Sequence, residues 1–532
     1  MESNCDYIPY KNTGYFSKLV IDYLEEHKNL QNFFNYSVSI QGVQQAINAR
    51  QQFNTNRKLL VNELHNQYQN ISLSAKQKTN LELLLNENTF TITTAHQPNI
   101  FTGPLYFIYK IIHAIKLANE LNETLKDYTF IPVYYMGSED ADLDELGFIN
   151  LNGEKLIWNT KQTGAVGRMK VDKAFTQLID KIYGQVGVYT YGKNLIDIFR
   201  KCYAEGKTIQ QATLALVNEL FAEYGLLILI PDNAALKKSF ENIIEKELTE
   251  QFSHSIVAQT STELSKHYKV QASGRALNLF YLIDDKRERI EFVNSKFKIQ
   301  NLKLEFTREE ILLELKNHPE RFSGNVILRG IFQETILPNI VFIGGGGELA
   351  YWLELKNVFS AVNVPYPMLI LRNSFLLFTK QQQEKLLKLG FVIEDLFKNE
   401  NDLLNELVKR ESKQQLNLSK EITEVKNIFQ QLKNITNQVD ATLQQHTEAL
   451  QTKTLKELIN LEKKTLKAEK RKFETQKNQL HKIKQELFLN NNLQERTENF
   501  SILYAKQGRE FAQKIYDASK GLGQEFTILQ IS

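Results

Sequence analysis

Five short apolar segments, separated by stretches of helical or mixed pattern, constrain the fold of this chain more than any other feature. The segments are 90–94, 130–135, 226–230, 340–343 and 369–371. Apolar residues at helical spacing follow the first segment: Leu105, Ile108, Ile112 and Ile115. Strands that alternate with helices form parallel sheets, and strands buried on both faces are apolar throughout. The sequence therefore predicts an α/β fold with a doubly wound parallel-sheet core, into which about 150–220 and 235–325 are inserted.

After about residue 400 the composition becomes that of long solvated helices. Glycine is absent from 391 to 507, and Lys, Glu, Gln, Asn and Leu predominate. Two series at heptad spacing follow: Leu418, Ile422, Val425, Phe429, Leu432, Thr436, Val439 and Leu443, then Ile459, Leu466, Phe473, Leu480 and Leu487. Such heptads predict a coiled coil. Because a polar stretch near 444–454 separates the two series, we predict an antiparallel helical hairpin with arms of roughly 50 Å.

These patterns predict three parts of the chain. Residues 1–395 would form the core with its insertions, and residues 396–490 the coiled-coil hairpin. Residues 491–532 regain aromatic side chains and glycine, so we expect this segment to return to the core.

Composition argues against several classes of function. The charge of the chain is nearly balanced, with 65 Lys and Arg residues against 62 Asp and Glu residues, and this balance favours no nucleic-acid partner. The basic run 463–472 is predicted to be a solvated helix face. Only Cys5 and Cys202 occur, so neither a disulfide framework nor a CxxC zinc site is expected. The first residues do not resemble a secretory signal, and runs such as LLILI are too short to span a bilayer. We expect a soluble, cytoplasmic protein without membrane partners.

The first candidate site is TTAHQPNIFTG, 93–103, where the first strand gives way to a helix. In open α/β sheets, ligands bind outside the carboxyl ends of the strands. We predict that Thr102 or Gly103 caps the helix, whose free N–H groups then favour an anion. No Walker A pattern is present, and turn formation alone explains these residues equally well. The candidate residues here are Thr94, His96, Gln97, Thr102, Gly103 and Lys110.

The second candidate site is the acidic segment that follows the strand at 130–135. Its carboxylates are Glu139, Asp140, Asp142, Asp144 and Glu145. Such a cluster can hold magnesium, bind a substrate ammonium group or act as a base. The alternative is an ordinary acidic helix start.

The third candidate site is the glycine run Gly344–Gly347, between an apolar strand and an apolar helix. It fits neither GxGxxG, because Leu349 replaces the last glycine, nor a P-loop. Glycines at a helix start still let a ligand approach the backbone. The neighbouring candidates are Arg329, Gln333, Glu334, Glu348, Tyr351 and Trp352. Core packing explains the last two residues equally well.

Together these segments resemble the BshC family, the cysteine ligases of bacillithiol biosynthesis. The residues that carry the resemblance are HQPNIFTGPLYFIYKIIHAIKLA, EDADLDEL, FSGNVILRGIFQETILPNIVFIGGGGELAYWLELKNVF and LGQEFTIL, with IPDNAALKKSF between them. The resemblance runs from about residue 90 to the C-terminus. It implies a Rossmann-like core with helical insertions and a coiled coil, a homodimer, and amide formation between cysteine and glucosaminyl malate with ATP as activator.

The chain departs from the family pattern at three places. Ala141 stands where members often have histidine, Ala95 stands where glycine is common, and no proline interrupts 344–347. These changes leave the family resemblance intact and bear on which residue roles carry over to this chain. If the family histidine is catalytic, His96 or His113 would have to replace it here.

On this basis we assign provisional roles to the candidate residues. The loop from Thr94 to Thr102 would hold phosphates or a carboxylate, and His96 and Lys110 would steady developing charge. Glu139, Asp140 and Asp142 would bind magnesium or the attacking amine. Other proposed contacts are Gly344, Gly345, Gly346, Gly347 and Glu348 for nucleotide or sugar acid, and Arg329 and Arg372 for malyl carboxylates.

Two other functions fit the same residues. The crevice could transfer a nucleotidyl group to a sugar or cofactor precursor, in which case the product would gain a nucleotide instead of cysteine. Alternatively, the hairpin could make the chain a non-enzymatic scaffold. Scaffolding does not require three polar clusters at strand ends, so we favour an enzyme.

Overall fold

The computed structural model describes residues 5–271 and 274–531. Within them the chain forms two compact units. The larger unit contains Cys5–Leu376 and Leu493–Thr527, and the smaller contains Leu377–Asn492 together with residues 528–531.

The larger unit begins with a helical region, the first sheet strands and the first insertion. Its elements to residue 229 are β1 (Cys5–Ile8), α1 (Lys18–Leu24), α2 (Ile40–Gln51), α3 (Arg57–Tyr68), α4 (Ala75–Leu83), β2 (Thr89–His96), α5 (Tyr106–Thr124), β3 (Thr129–Met136), α6 (Leu143–Leu146), β4 (Phe148–Leu151), β5 (Glu154–Ile157), α7 (Lys173–Val186), α8 (Gly192–Cys202), α9 (Ile209–Phe221) and β6 (Leu227–Leu229).

The second insertion and the remaining sheet strands follow. These elements are α10 (Ala234–Lys238), α11 (Glu241–Glu250), α12 (Phe252–Ser265), β7 (Leu279–Ile283), β8 (Lys286–Arg289), β9 (Glu291–Val293), β10 (Lys296–Ile299), β11 (Leu304–Phe306), α13 (Arg308–Asn317), β12 (Phe322–Gly324), α14 (Val326–Ile336), β13 (Asn339–Gly344), α15 (Gly346–Trp352), α16 (Lys356–Ala361) and β14 (Met368–Leu371). β7 pairs with β8 and β12, and β10 pairs with β9 and β11, in two small antiparallel sheets.

The last part of the chain is mostly helical. Its elements are β15 (Phe375–Thr379), α17 (Lys380–Lys388), α18 (Glu400–Glu411), α19 (Ser419–Val439), α20 (Leu443–Lys470), α21 (Glu474–Leu487), α22 (Gln494–Thr497), α23 (Ser501–Gln507), α24 (Glu510–Ala518) and β16 (Phe526–Ile531). In the described part of the chain, no helix combines the length and apolar character needed to cross a membrane.

A five-stranded parallel sheet in the order β14-β13-β2-β3-β6 confirms all five predicted strands. β2 and β3 pair from Thr89 opposite Thr129 to His96 opposite Met136. The chain runs outward from β2 to β3 and β6, then returns to β13 and β14 on the other side. The strand order therefore reverses between β2 and β13, and such a switch point opens a crevice at the carboxyl ends of the strands.

Burial on both faces explains why these strands are apolar. Ile92, Val341 and Ile370 belong to one core cluster with Ala114 and Leu117 of α5. Elsewhere in the core, Trp352 of α15 stacks on Phe342 of β13 with ring centroids 4.3 Å apart. Core packing is therefore the confirmed interpretation of Trp352.

In the smaller unit, α19 and α20 form an antiparallel hairpin. The hydroxyl groups of Thr436 and Thr447 lie 3.2 Å apart, and the N–H of Leu418 donates to Glu462 at 3.0 Å. The predicted turn at 444–454 is wrong, because that stretch lies inside α20 and the connection is 440–442. α19 has 21 residues and α20 has 28. At about 1.5 Å per residue these two helices are about 31 and 42 Å long, and the turn Arg471–Phe473 continues the second arm from α20 into α21.

Candidate active site

A cavity of about 630 Å³ lies where the carboxyl ends of β2, β3, β13 and β14 meet. The switch point predicts a ligand site at this position. Its lining residues are Ala95, His96, Gln97, Tyr106, Lys110, Tyr135, Gly137, Asp140, Glu145, Gln271, Val326, Arg329, Gly345, Gly346, Gly347, Glu348, Tyr351, Arg372 and Arg496. The structure thus brings His96, Asp140 and Gly345, from three separate segments, into one polar cavity.

His96 is the last residue of β2, and Pro98 stands two residues later, so the strand ends here. The imidazole packs edge-on against Tyr106, with ring centroids 5.3 Å apart. Its buried Nε2 has no hydrogen-bonding partner among the described residues. Burial lowers the pKa of His96 well below the usual range, and the charges of Lys110 and Arg372 lower it further. The ring is therefore neutral at pH 7 and has one unused nitrogen.

Lys110 lies one helical turn after Tyr106 on α5 and is almost completely buried. Its Nζ donates to the carbonyl oxygen of Ala95 at 2.9 Å and forms an ion pair with Glu348. Glu348 also accepts a hydrogen bond from the N–H of Gly345 at 2.8 Å. Burial lowers the pKa of Lys110, and the adjacent Glu348 opposes that shift. These contacts hold a buried ammonium group at the base of the cavity.

Asp140 is fixed by arginine side chains. Its Oδ2 accepts from Nη1 of Arg329 at 2.9 Å, its Oδ1 accepts from Nη2 of the same residue, and Arg287 lies 3.8 Å away. Burial alone would raise the pKa of Asp140, but Arg329 and Arg287 bring it below its usual value. Asp140 is therefore a weak base, and the fork of Arg329 is already occupied.

Of the five predicted carboxylates, only Asp140 and Glu145 line the cavity. Glu139 lies outside the cavity, paired with Lys237 and accepting from Ser323 at 3.0 Å. Asp142 is exposed and caps the short α6 by accepting from the N–H of Glu145 at 3.2 Å. Across residues 5–271 and 274–531, no group of three or more His, Cys, Asp or Glu side chains is placed to hold a metal ion. These carboxylates therefore form ion pairs and hydrogen bonds with protein groups, and they do not converge on a metal site.

The glycine run is divided between two elements. Gly344 is the last residue of β13, and its carbonyl oxygen accepts a hydrogen bond from the N–H of Arg372 at 2.8 Å. It does not line the cavity. Gly345, Gly346 and Gly347 do line it. A Cβ atom at Gly347 would meet nothing within 4 Å. The open backbone there leaves room for a ligand.

Arg372 lines the cavity, but most of its donors are used. Nη1 and Nη2 donate to the buried carboxylate of Glu495 at 2.9 and 2.7 Å. Nη1 also donates to Ser374 at 2.9 Å. Its buried Nε has no hydrogen-bonding partner in the described chain. The terminal nitrogens of Arg372 and Arg329, which we predicted to bind malyl carboxylates, are thus bound to protein carboxylates.

Four further predicted site residues do not line the cavity. Thr94 donates to the carbonyl oxygen of Ile343 at 2.9 Å, and Gln333 donates to Glu334 at 2.9 Å inside the core. Thr102 and Gly103 belong to a tight turn with φ values of 68° and 64°. They do not cap α5, because Leu105 occupies the N-cap position.

Several lining residues were not predicted from sequence, among them Tyr106, Tyr135, Gln271 and Arg496. Helical spacing could have identified Tyr106, because it lies four residues before Lys110 and therefore on the same face of α5. Arg496 follows the helical hairpin, and no local pattern links it to the sheet.

Known families match almost the whole chain. The N-terminal Rossmann-like domain of bacillithiol biosynthesis BshC matches residues 3–373, and the C-terminal coiled-coil domain of BshC matches residues 375–531. The chain is 42% identical over 528 residues to a protein of Flavobacterium johnsoniae, and 39% identical over 536 residues to one of Christiangramia forsetii. Each alignment covers 99% of both chains, and both relatives are named "Putative cysteine ligase BshC". The chain therefore belongs to the BshC family, and is an enzyme with a Rossmann-like domain and a coiled-coil domain.

Proposed function

We propose that this enzyme joins the carboxyl group of cysteine to the amine of glucosaminyl malate in an ATP-dependent reaction. The names of its relatives support cysteine as a substrate. One structural observation carries the proposal. A neutral imidazole with an unused buried nitrogen and a buried ammonium group line one cavity at the strand switch point. This pairing suits attack of an amine on a carboxyl carbon.

Amide formation needs activation, because a carboxylate is a poor acyl donor. ATP bound in this cavity would supply that activation by transferring a phosphoryl or adenylyl group to a carboxylate oxygen, and that oxygen would leave with the transferred group when the C–N bond forms. The residues present fit such a ligand, since Lys110, the Nε of Arg372 and Arg496 offer positive charge beside the open backbone of Gly345–Gly347. Lys110 would stabilise the oxyanion that develops on the carboxyl group under attack.

Formation of the C–N bond releases one proton from the attacking nitrogen. The free Nε2 of His96 can accept this proton, because the imidazole is neutral. Glu145 also lines the cavity, and burial, with Asp142 and Asp140 nearby, raises its pKa. It could carry the proton from the imidazole to solvent. Asp140 is a poorer acceptor, because arginines hold its charge.

The protein residues do not fit a magnesium ion of their own. Asp140, Glu139 and Asp142 are each bound to other groups, and they do not converge. We therefore assign no step of the reaction to magnesium.

Mass spectrometry of the products tests the proposed reaction. Purified protein incubated with cysteine, glucosaminyl malate and ATP is expected to yield glucosaminyl malate that has gained one cysteinyl group, with no product when ATP is omitted. Gain of a nucleotide would identify a nucleotidyltransferase instead. Recovery of all three substrates unchanged, from protein with an intact fold by circular dichroism, would contradict the proposal.

We also propose that the hairpin joins two copies of the chain. Four large apolar side chains on α19 are exposed: Ile428 at 53%, Leu432 at 42%, Ile435 at 58% and Val439 at 76%. Coiled-coil helices bury such residues against a partner helix. Sedimentation velocity is expected to show a dimer for the wild-type protein and a monomer for the Ile435→Lys/Val439→Lys variant. A wild-type monomer, or a variant dimer of equal affinity, would rule out this interface.

A further inference from the structure

Three of the four lysine and arginine side chains that line the cavity have a carboxylate partner. Lys110 pairs with Glu348, and Arg329 pairs with Asp140. Arg372 pairs with Glu495 at 2.7 Å. Arg496 is the exception, because no carboxylate pairs with it within residues 5–271 and 274–531. The guanidinium of Arg496 is therefore unpaired, and the carboxylate of Glu145 lines the same cavity without an ion-pair partner in that part of the chain.

The position of Arg496 is determined by the residue before it. Glu495 is completely buried, and besides Arg372 it accepts from the N–H of Phe375 at 3.3 Å. These hydrogen bonds fix the short helix α22 beside the end of β14. Arg496 itself is exposed to solvent and lines the cavity. A buried anchor next to Arg496 therefore fixes the backbone of this residue at the edge of the site.

A second donor in the same cavity is also unused. The Nε of Arg372 is buried and has no partner in the described chain. It lies 3.6 Å from the position that a Cβ atom of Gly345 would occupy, so it is directed toward the open backbone of the glycine run. A buried N–H of a charged group without an acceptor is costly unless a ligand supplies one.

We infer that Arg496 and the Nε of Arg372 form a binding subsite for an oxyanion of a substrate, and that Arg496 selects substrates carrying that charge. The group bound is a carboxylate or a phosphate, since a guanidinium donates to either. The inference rests on the proposed function, which offers two sources of this oxyanion. They are the malyl carboxylates of the acceptor substrate and the phosphates of ATP. Arg496 is a binding residue in this scheme and takes no part in proton transfer.

Direct binding measurements test this subsite without requiring turnover. Isothermal titration calorimetry would measure glucosaminyl malate and ATP separately, against full-length wild-type protein and the variants Arg496→Gln and Arg496→Lys. Arg308→Gln is the matched control, because Arg308 on α13 is exposed and lies outside the cavity. Thermal unfolding of every variant would show whether the fold is retained.

We expect Arg496→Gln to weaken binding of one of the two ligands about tenfold. Arg496→Lys is expected to recover part of that loss and Arg308→Gln to cause none. The ligand affected identifies the source of the oxyanion. Unchanged affinity for both ligands in Arg496→Gln, or no binding of either by the wild-type protein, would overturn the inference. If binding depends on Arg496 but no cysteinyl product forms, the subsite stands and the proposed reaction fails.

Discussion

Replacing His96 with glutamine is expected to lower kcat about 100-fold, within the range that a single general base contributes. Glutamine is polar and of similar size, but its amide cannot accept a proton at neutral pH. The buried Nε2 of His96 is the group that the proposed reaction uses for that purpose. Steady-state rates of cysteinyl product formation, measured with all substrates saturating, would give kcat for both proteins.

The pH dependence of the wild-type enzyme gives an independent test of His96. An ordinary histidine becomes protonated near pH 6.5. Burial and the nearby charges of Lys110 and Arg372 lower the pKa of His96 well below this value, so its neutral form persists as the pH falls. We therefore expect the pH profile of kcat for the wild-type enzyme to show no ionisation near pH 6.5 beyond those that His96→Gln also shows.

His113→Gln provides the control for loss of a buried imidazole. His113 is also buried on α5, but its Nε2 lies 2.7 Å from the carbonyl oxygen of Gly521 and its Nδ1 accepts from Asn373. Because His113 lies outside the cavity, its folded variant should retain kcat within about twofold even if its melting temperature falls. Equal kcat for folded His96→Gln and wild-type protein would remove His96 from the chemistry.

The sheet could be predicted from sequence because its signal is local. A strand covered on both faces is apolar along its whole length, and 90–94 and 130–135 have that pattern. The rule that ligands bind at carboxyl ends then placed His96 and Asp140 in one site. The pairing of Asp140 with Arg329 and Arg287 could not be predicted, since it joins residues far apart in sequence.

Polar residues are harder to place from sequence than apolar residues, for a physical reason. Polar residues have several possible partners, and the sequence does not show which one is nearest. Glu139 became the partner of Lys237, and Asp142 became a cap. Likewise, 444–454 is polar but rich in residues that favour helices, so polarity alone was a poor sign of a turn. The turn forms at Asp440, whose side chain accepts from the N–H of Thr442 at 2.8 Å.

Replacing Glu495 with alanine is expected to lower the free energy of unfolding of the larger unit by about 3–5 kcal/mol. Glu495 is 0% exposed and its carboxylate accepts two charged hydrogen bonds from Arg372, which is 2% exposed. Alanine would leave the guanidinium buried without a counter-charge, and a buried unpaired charge is among the most costly defects in a folded protein. Urea unfolding followed by circular dichroism would measure the loss.

An exposed ion pair provides the control that separates the effect of burial on the free energy of unfolding from the effect of losing a charge. Arg200 and Asp180 lie 3.0 Å apart on the surface, with 56% and 68% of their side chains exposed. Asp180→Ala should therefore cost at most about 1 kcal/mol. Glu495→Ala should also weaken oxyanion binding, because the same contacts position Arg496. A Glu495→Ala protein as stable as Asp180→Ala would show that the Arg372–Glu495 pair does not anchor α22, and the placement of Arg496 would then need another explanation.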